Sequence, residues 1–69
     1  MMEQFFDCRR RCVCFADAET GEVDVKYKGL STITFIPIHG TYRLDRDDTV
    51  TILERVSTTE FYVTSYRIA

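Results

Sequence analysis

Apolar and polar residues alternate strictly along residues 22–28, Glu-Val-Asp-Val-Lys-Tyr-Lys. The three apolar side chains fall on one face and the charged ones on the other, which is the pattern of a half-buried β-strand. The preceding segment 11–17 is apolar on both faces and predicts a central strand, or one covered on its second face by another element. Gly21, which ends the connection, can adopt the left-handed conformation of a type I turn with a bulge. The two segments therefore predict a β-hairpin.

The N-terminal residues show a different spacing. Within residues 2–10, Met2, Phe5, Phe6 and Arg9 recur at helical intervals, and three of them are apolar. The pattern predicts one or two turns of helix. Such a segment is shorter than an isolated helix needs, so it would be held by packing its apolar residues onto the sheet.

Residues 32–38 begin as a third alternating strand, and Pro37 interrupts it. Because proline cannot donate to a ladder, the pattern predicts a bulge or sharp bend with the end of the strand at a sheet edge. His39 and Gly40 are predicted as a two-residue turn into a strand over 41–44.

Two more strands follow the polar loop 45–48. One covers 49–56, with Val50, Ile52 and Val56 on one face, and the last covers 61–68 after a turn.

The fold class that follows is all-β with one short N-terminal helix, in a single small domain over 1–69. Five to six bent antiparallel strands in so short a chain predict a small barrel or rolled sheet of SH3-like, Sm-like or OB-like type, with an antiparallel meander as the alternative. A domain this small buries only about 60% of its unfolded surface, so edge pairing between copies would add stability.

The charge balance and the hydropathy of the chain limit the classes of function that it could have. Nine Lys and Arg face eleven Asp and Glu, for a net charge of −2 and a pI near 5.2. That balance is not typical of a nucleic-acid binder, although a local basic face stays open. No apolar run approaches the roughly 18 residues of a membrane span, and the first charged residues are acidic, unlike a signal peptide. We expect a cytoplasmic protein.

Three cysteines, Cys8, Cys12 and Cys14, raise the question of metal or disulfide chemistry. An odd count with the last two on one strand face favours reduced thiols. With His39 they could form a Cys₃His zinc site, but the spacing lacks the second ligand pair and buried cysteines are common in cores. No cofactor is expected.

Arg9, Arg10 and Arg11 form a basic run. Cations at a helix end are usually solvated. Alternatively, Arg9 and Arg10, with Lys26 and Lys28, could contact an anion or nucleic acid, or the run could activate a neighbouring thiol.

Other candidate chemistry is weak. Asp45, Asp47, Asp48 and Glu54 could suggest a cation site, but the ligand spacing of a calcium loop is missing and Arg46 lies inside the cluster. His39 beside Gly40 favours a turn residue, and there is no phosphate-binding glycine loop. The sequence therefore predicts a non-enzymatic protein.

Tyrosines give the strongest functional signal. Tyr62 and Tyr66 share one face of the last strand, opposite Phe61 and Val63, and are exposed if those two point into the core. Tyrosine is common at core edges, is enriched in protein interfaces and also stacks on nucleic-acid bases. The candidate partner-binding residues are Tyr42, Arg43, Tyr62, Tyr66 and Arg67.

Two hypotheses result. The first is a protein-interaction module, a small regulator or inhibitor of a larger protein, of the kind that phages and mobile elements often encode. An edge strand, 32–38 or 61–68, could also pair with another chain or a second copy. The second is an RNA or single-stranded DNA binder on a small barrel, since a short helix before five bent strands is also the element order of Sm-like proteins. Its contacts would be Arg9, Arg10, Lys26, Lys28, Arg43, Tyr62, Tyr66 and Arg67.

Overall fold

The computed structural model describes residues 1–68, and this part of the chain forms seven β-strands and no helix. The strands are β1 Glu3–Phe6, β2 Cys12–Ala16, β3 Glu22–Tyr27, β4 Leu30–Phe35, β5 Thr41–Asp45, β6 Thr49–Arg55 and β7 Phe61–Arg67. The all-β class is confirmed.

The strands make two antiparallel sheets. One has four strands in the order β1-β2-β3-β4, and the other has three in the order β5-β6-β7. Every neighbouring pair is consecutive in the chain, so each sheet is a meander. Within residues 1–68 the hydrogen bonding does not close into a barrel, and β1, β4, β5 and β7 are edge strands.

The predicted N-terminal helix is wrong. Residues Glu3–Phe6 pair with β2, and Phe5 lies opposite Cys14. Phe5 is buried and packs edge-to-face on Phe61 of the other sheet, with ring centroids 5.5 Å apart. Apolar residues four positions apart, such as Met2 and Phe6, suit one face of a strand as well as of a short helix, and pairing with the edge of β2 decided between the two.

The predicted hairpin between β2 and β3 is confirmed. Cys14 pairs with Val25 and Ala16 with Val23. Gly21 has a φ of 86°, and its amide donates to Asp17 O at 2.7 Å.

A second hairpin, between β3 and β4, was not predicted. Its two-residue loop, Lys28 and Gly29, has positive φ at both positions, as a type I′ turn requires.

Residues 36–40 carry the chain from the first sheet to the second. A turn does form here, with Ile38 and His39 at its central positions. It is not the predicted two-residue hairpin turn at His39 and Gly40, because β4 and β5 belong to different sheets. His39 has a φ of 70°, and Gly40 N donates to Pro37 O at 2.8 Å. The break at Pro37 is confirmed, since β4 ends at Phe35 and lies at a sheet edge.

The core lies between the sheets. Its buried members come from both, and they are Phe5, Val13, Cys14, Ala16, Ala18, Val23, Ile36, Leu44, Leu53 and Phe61. On β6 the inward residues are Thr49, Thr51, Leu53 and Arg55. Val50 and Ile52 do share a face, as predicted, but it is the outer face of the three-stranded sheet.

Candidate functional site

The outer face of the three-stranded sheet carries two exposed tyrosines. Because side chains alternate along a strand, Phe61 and Val63 face the core and Tyr62, Thr64 and Tyr66 face outward. Tyr62 is 63% exposed and Tyr66 44%.

Cross-strand register adds neighbours to these tyrosines. Thr64 lies beside Ile52, which lies beside Arg43, so Arg43 joins the same face. We call this surface the tyrosine face. Its central outward residues are Arg43, Ile52, Tyr62, Thr64 and Tyr66, and the register adds Glu54 beside Tyr62 and Asp45, which is paired with Arg43, near Tyr66. The tyrosine face combines large rigid side chains with polar tips, the composition enriched in protein interfaces.

Not all of the predicted partner-binding residues lie on this face. Arg43, Tyr62 and Tyr66 share it, whereas Tyr42 lies opposite Leu53 and packs half-buried against the core. Arg67 is exposed and pairs with Thr49, on the opposite side of β7 from Tyr66. Alternation within one strand predicts the outward positions of Tyr62 and Tyr66. It cannot predict which residues of neighbouring strands lie beside them.

A cleft opens between β3 and β5, where the two sheets diverge. Its volume is about 210 Å³, and its lining includes Val25, Tyr27, Tyr42 and Leu44. Arg46 closes one end, with its guanidinium 4.6 Å from the centre of the Tyr27 ring and hydrogen bonds to backbone carbonyls of the first sheet. Arg46 therefore ties the two sheets together at this point.

Charge is separated along the strand direction. Loops 7–11, 28–29 and 46–48, together with the adjoining strand residues Lys26, Asp45 and Arg67, lie at one end of the strands, which we call the basic end. Seven Lys and Arg side chains lie there against four carboxylates. The members without an ion pair among residues 1–68 are Arg10, Lys28, Arg46 and Arg67.

The opposite end, which we call the acidic end, holds six carboxylates and one arginine, the buried Arg55. Five of those carboxylates have no ion pair in the described part of the chain, namely Glu3, Glu19, Glu22, Glu54 and Glu60. The net charge of −2 is thus the sum of an excess of positive charge at the basic end and a larger excess of negative charge at the acidic end.

The four predicted anion contacts differ in their surroundings. Arg9 is paired with Asp48, and Lys26 contacts both Asp24 and the Ser31 hydroxyl. Arg10 and Lys28 have no ion pair among the described residues; the Lys28 ammonium lies 5.2 Å from the centre of the Tyr27 ring.

Two carboxylates organise the arginines at the basic end. Asp7 is buried and accepts hydrogen bonds from the backbone amides of Arg9 and Arg11 and from Arg11 Nε, each at 2.9 Å. Burial acts to raise the pKa of Asp7, but the bonds from Arg11 and Arg9 outweigh it and the pKa is lowered. Side-chain hydrogen bonds from Arg11 and Arg9 lower the pKa of Asp48 to about 2.

These pKa values predict an acid-sensitive fold. A carboxyl whose pKa is lower in the folded state than its ordinary value near 4 stabilises the fold above that pH, and the contribution is lost as the pH falls toward about 2. Asp48→Asn should therefore lower the free energy of unfolding at pH 7 and leave it close to that of the wild type at pH 2. Urea denaturation at the two pH values measures this. Asp47→Asn, at an exposed neighbour without an ion pair, is the control. An equal pH dependence in wild type and Asp48→Asn would contradict the assignment.

The cysteines and His39 do not come together. Cys8 lies at the basic end, and His39 lies in the 36–40 crossing at the acidic end. Burial raises the pKa of Cys14 to about 12, which leaves that thiol protonated and unreactive. Within residues 1–68 no three His, Cys, Asp or Glu side chains are grouped to hold a metal ion. In the loop 45–48, the carboxylates of Asp48 and Asp45 are instead paired with arginines.

Strand β4 presents an exposed apolar surface. The sequence indicated it only as one of two strands that could pair with another chain. Leu30, Ile33 and Phe35 are 73%, 59% and 64% exposed, and no residue of β4 belongs to the core. The strand Leu-Ser-Thr-Ile-Thr-Phe has no charged residue and no proline, the usual devices that protect an edge from pairing.

No protein-family model matches this chain, and no curated protein or solved structure shows significant similarity to it. In the part of the chain that the structure describes, there is no helix of the length and apolarity that crossing a membrane would need.

Proposed function

We propose that this chain is a non-enzymatic protein-interaction module, a small regulator or inhibitor that binds a larger protein through the tyrosine face. The observation that carries the proposal is the pair Tyr62 and Tyr66, exposed on one face of a regular strand with Arg43 two strands away. Tyrosine and arginine are the residues that most often dominate binding energy at protein interfaces.

The rigidity of this surface supports the proposal. Val50 lies beneath the same face with no exposed area, in register between Asp45 and Tyr66. Side chains above a fixed, packed layer lose little freedom on binding, so less of the contact energy is spent on ordering them. A phage or mobile-element origin would suit a regulator of this size.

Tyr62→Ser is the sharpest variant, because Tyr62 is the more exposed of the two tyrosines. We expect its melting temperature to match that of the wild type and its recovery of the partner protein to fall at least about tenfold, as for a tyrosine at the centre of an interface. The measurement is quantitative affinity capture from lysate of the cells that make the protein.

The matched control is Phe6→Ser, which removes an exposed aromatic ring from the other sheet. Equal recovery by wild type and Tyr62→Ser would contradict the proposal. A Tyr62→Ser variant that fails to fold would place this ring in the structural framework and remove it from the site.

A second candidate function is binding of RNA or single-stranded DNA. It is favoured by the basic side chains Arg10, Lys28 and Arg67, which have no ion pair among residues 1–68 and lie at the basic end, and by the Tyr27 ring at the same end. Phosphate contacts and base stacking use this combination, as in the OB folds that bind single strands. The acidic end and the net negative charge count against it.

A further inference from the structure

Strand β4 is an apolar edge strand without the charged residues or proline that usually prevent an edge from pairing. Strand β4 pairs with β3 along one edge only, and both of its faces are exposed apart from Thr34. Its outward residues Ile33 and Phe35 lie opposite Asp24 and Glu22 of β3. Unpaired backbone donors and acceptors beside large apolar side chains are the template for adding another strand.

We infer that β4 pairs antiparallel with β4 of a second copy of this chain, about a twofold axis at Ile33, and joins the two four-stranded sheets into one of eight strands. The inference concerns a surface other than the tyrosine face and does not depend on the function proposed for that face.

The side-chain pattern of β4 is self-complementary about this axis. Ile33 would lie opposite its own copy, and Thr32 would lie opposite Thr34 of the second copy. Phe35 would lie opposite the small Ser31 and diagonally beside the second Ile33, within reach of an aromatic ring. The outer face of the joined sheet would then carry a continuous apolar stripe from Ile33 and Phe35 of both copies.

Charge also favours a second copy in this orientation. The strand itself has no charge, so pairing it with itself brings no like charges together. The charges beside β4 on the same face are Glu22, Asp24 and Lys26. Asp24 and Lys26 form an ion pair with each other, 3.2 Å apart, and Glu22 has no ion pair among residues 1–68.

The charge separation along the strands has the same consequence at longer range. Strand β4 runs from the basic end at Leu30 to the acidic end at Phe35. Antiparallel pairing therefore places the basic end of one copy beside the acidic end of the other. A parallel arrangement would place like ends together and is disfavoured.

Sedimentation equilibrium of the purified chain tests the inference. The mass of the wild type should rise from 8.1 kDa toward twice that value as its concentration increases into the range of roughly tens of micromolar, since small interfaces give weak complexes. Ile33→Lys places two like charges opposite each other at the axis and should weaken dimerisation at least about tenfold. Gln4→Lys makes the same charge change on β1, the other edge of the same sheet, and should stay dimeric.

Cysteine cross-linking tests the register independently. In a Cys8→Ser background, Ile33→Cys should form an intermolecular disulfide with added oxidised glutathione, since Cα atoms of opposite residues in antiparallel strands lie about 4.5–5.5 Å apart, within the roughly 4.4–6.8 Å that a disulfide spans. Ser31→Cys should not, because its opposite residue is Phe35.

A wild type that stays monomeric through this range would overturn the inference, and so would an Ile33→Lys variant that dimerises like the wild type. Loss of the dimer in Gln4→Lys as well would show that β4 is not the interface. None of these outcomes bears on the tyrosine face, which the capture experiment with Tyr62→Ser tests separately.

Discussion

Replacing Arg55 by methionine should lower the free energy of unfolding by about 3 kcal/mol or more, one of the largest effects expected of a single side chain in this protein. Arg55 is only 8% exposed, and its guanidinium donates to three backbone carbonyls. Nε and Nη2 bond to Ala18 O and Glu19 O at 2.8 Å, and Nη1 bonds to Ile36 O at 3.0 Å. One side chain thus satisfies the carbonyls of the β2–β3 turn and of the crossing between sheets.

The expected cost follows from what methionine leaves behind. A buried carbonyl without a donor costs about 1–3 kcal/mol, and methionine has no donor to offer. A domain of this size rarely has more than about 3–5 kcal/mol of stability, so a loss of about 3 kcal/mol should leave the variant with at most about 2 kcal/mol.

Urea denaturation measures this effect, with Arg67→Met as the control because Arg67 is exposed. The control should change the free energy of unfolding by less than about 0.5 kcal/mol. A loss below about 1 kcal/mol in Arg55→Met would contradict the role given to this side chain.

Gly21→Ala should also be strongly destabilising, because a methyl group at this position would clash with Arg55 and with the carbonyl of Ile36. Gly21 has a φ of 86°, which an alanine adopts only at a cost of about 1–2 kcal/mol. A Cβ at this position would also lie 2.7 Å from Arg55 Nη1 and closer still to Ile36 O, neither of which can move without breaking the bond between them. We expect a total loss of at least about 3 kcal/mol.

Gly29→Ala separates the two causes. Gly29 has a similar φ of 79°, but a Cβ there would meet nothing within 4 Å. This variant should therefore show only the backbone cost, about 1–2 kcal/mol. Equal losses of stability in Gly21→Ala and Gly29→Ala, measured by urea denaturation, would show that the close approach to Arg55 has no energetic weight.

Strict alternation made part of this fold predictable. The β2–β3 hairpin and the outward position of Tyr62 and Tyr66 follow from a period of two along single strands, which needs no knowledge of the neighbours. The N-terminal residues were predicted wrongly because Phe5 and Phe6 fit a helix and a strand equally. Pairing with the edge of β2 stabilises the strand.

The other differences come from contacts between distant segments. Arg55 is charged and was not predicted to be buried, because the three carbonyls that hold it come from residues 18, 19 and 36. Likewise, the basic end collects arginines and lysines from three loops that only the pairing of the strands brings together. The composition gave only their sum, a small negative charge.

Affinity capture with and without nuclease is the first test of whether this chain acts by binding another protein. The tagged wild-type chain is used to capture its partners from lysate of the cells that make it, at moderate salt. We predict a protein partner recovered in a fixed ratio to the chain and unchanged by nuclease. Recovery of nucleic acid with the chain, and loss of every protein partner after nuclease, would contradict the account and assign the function to the basic end.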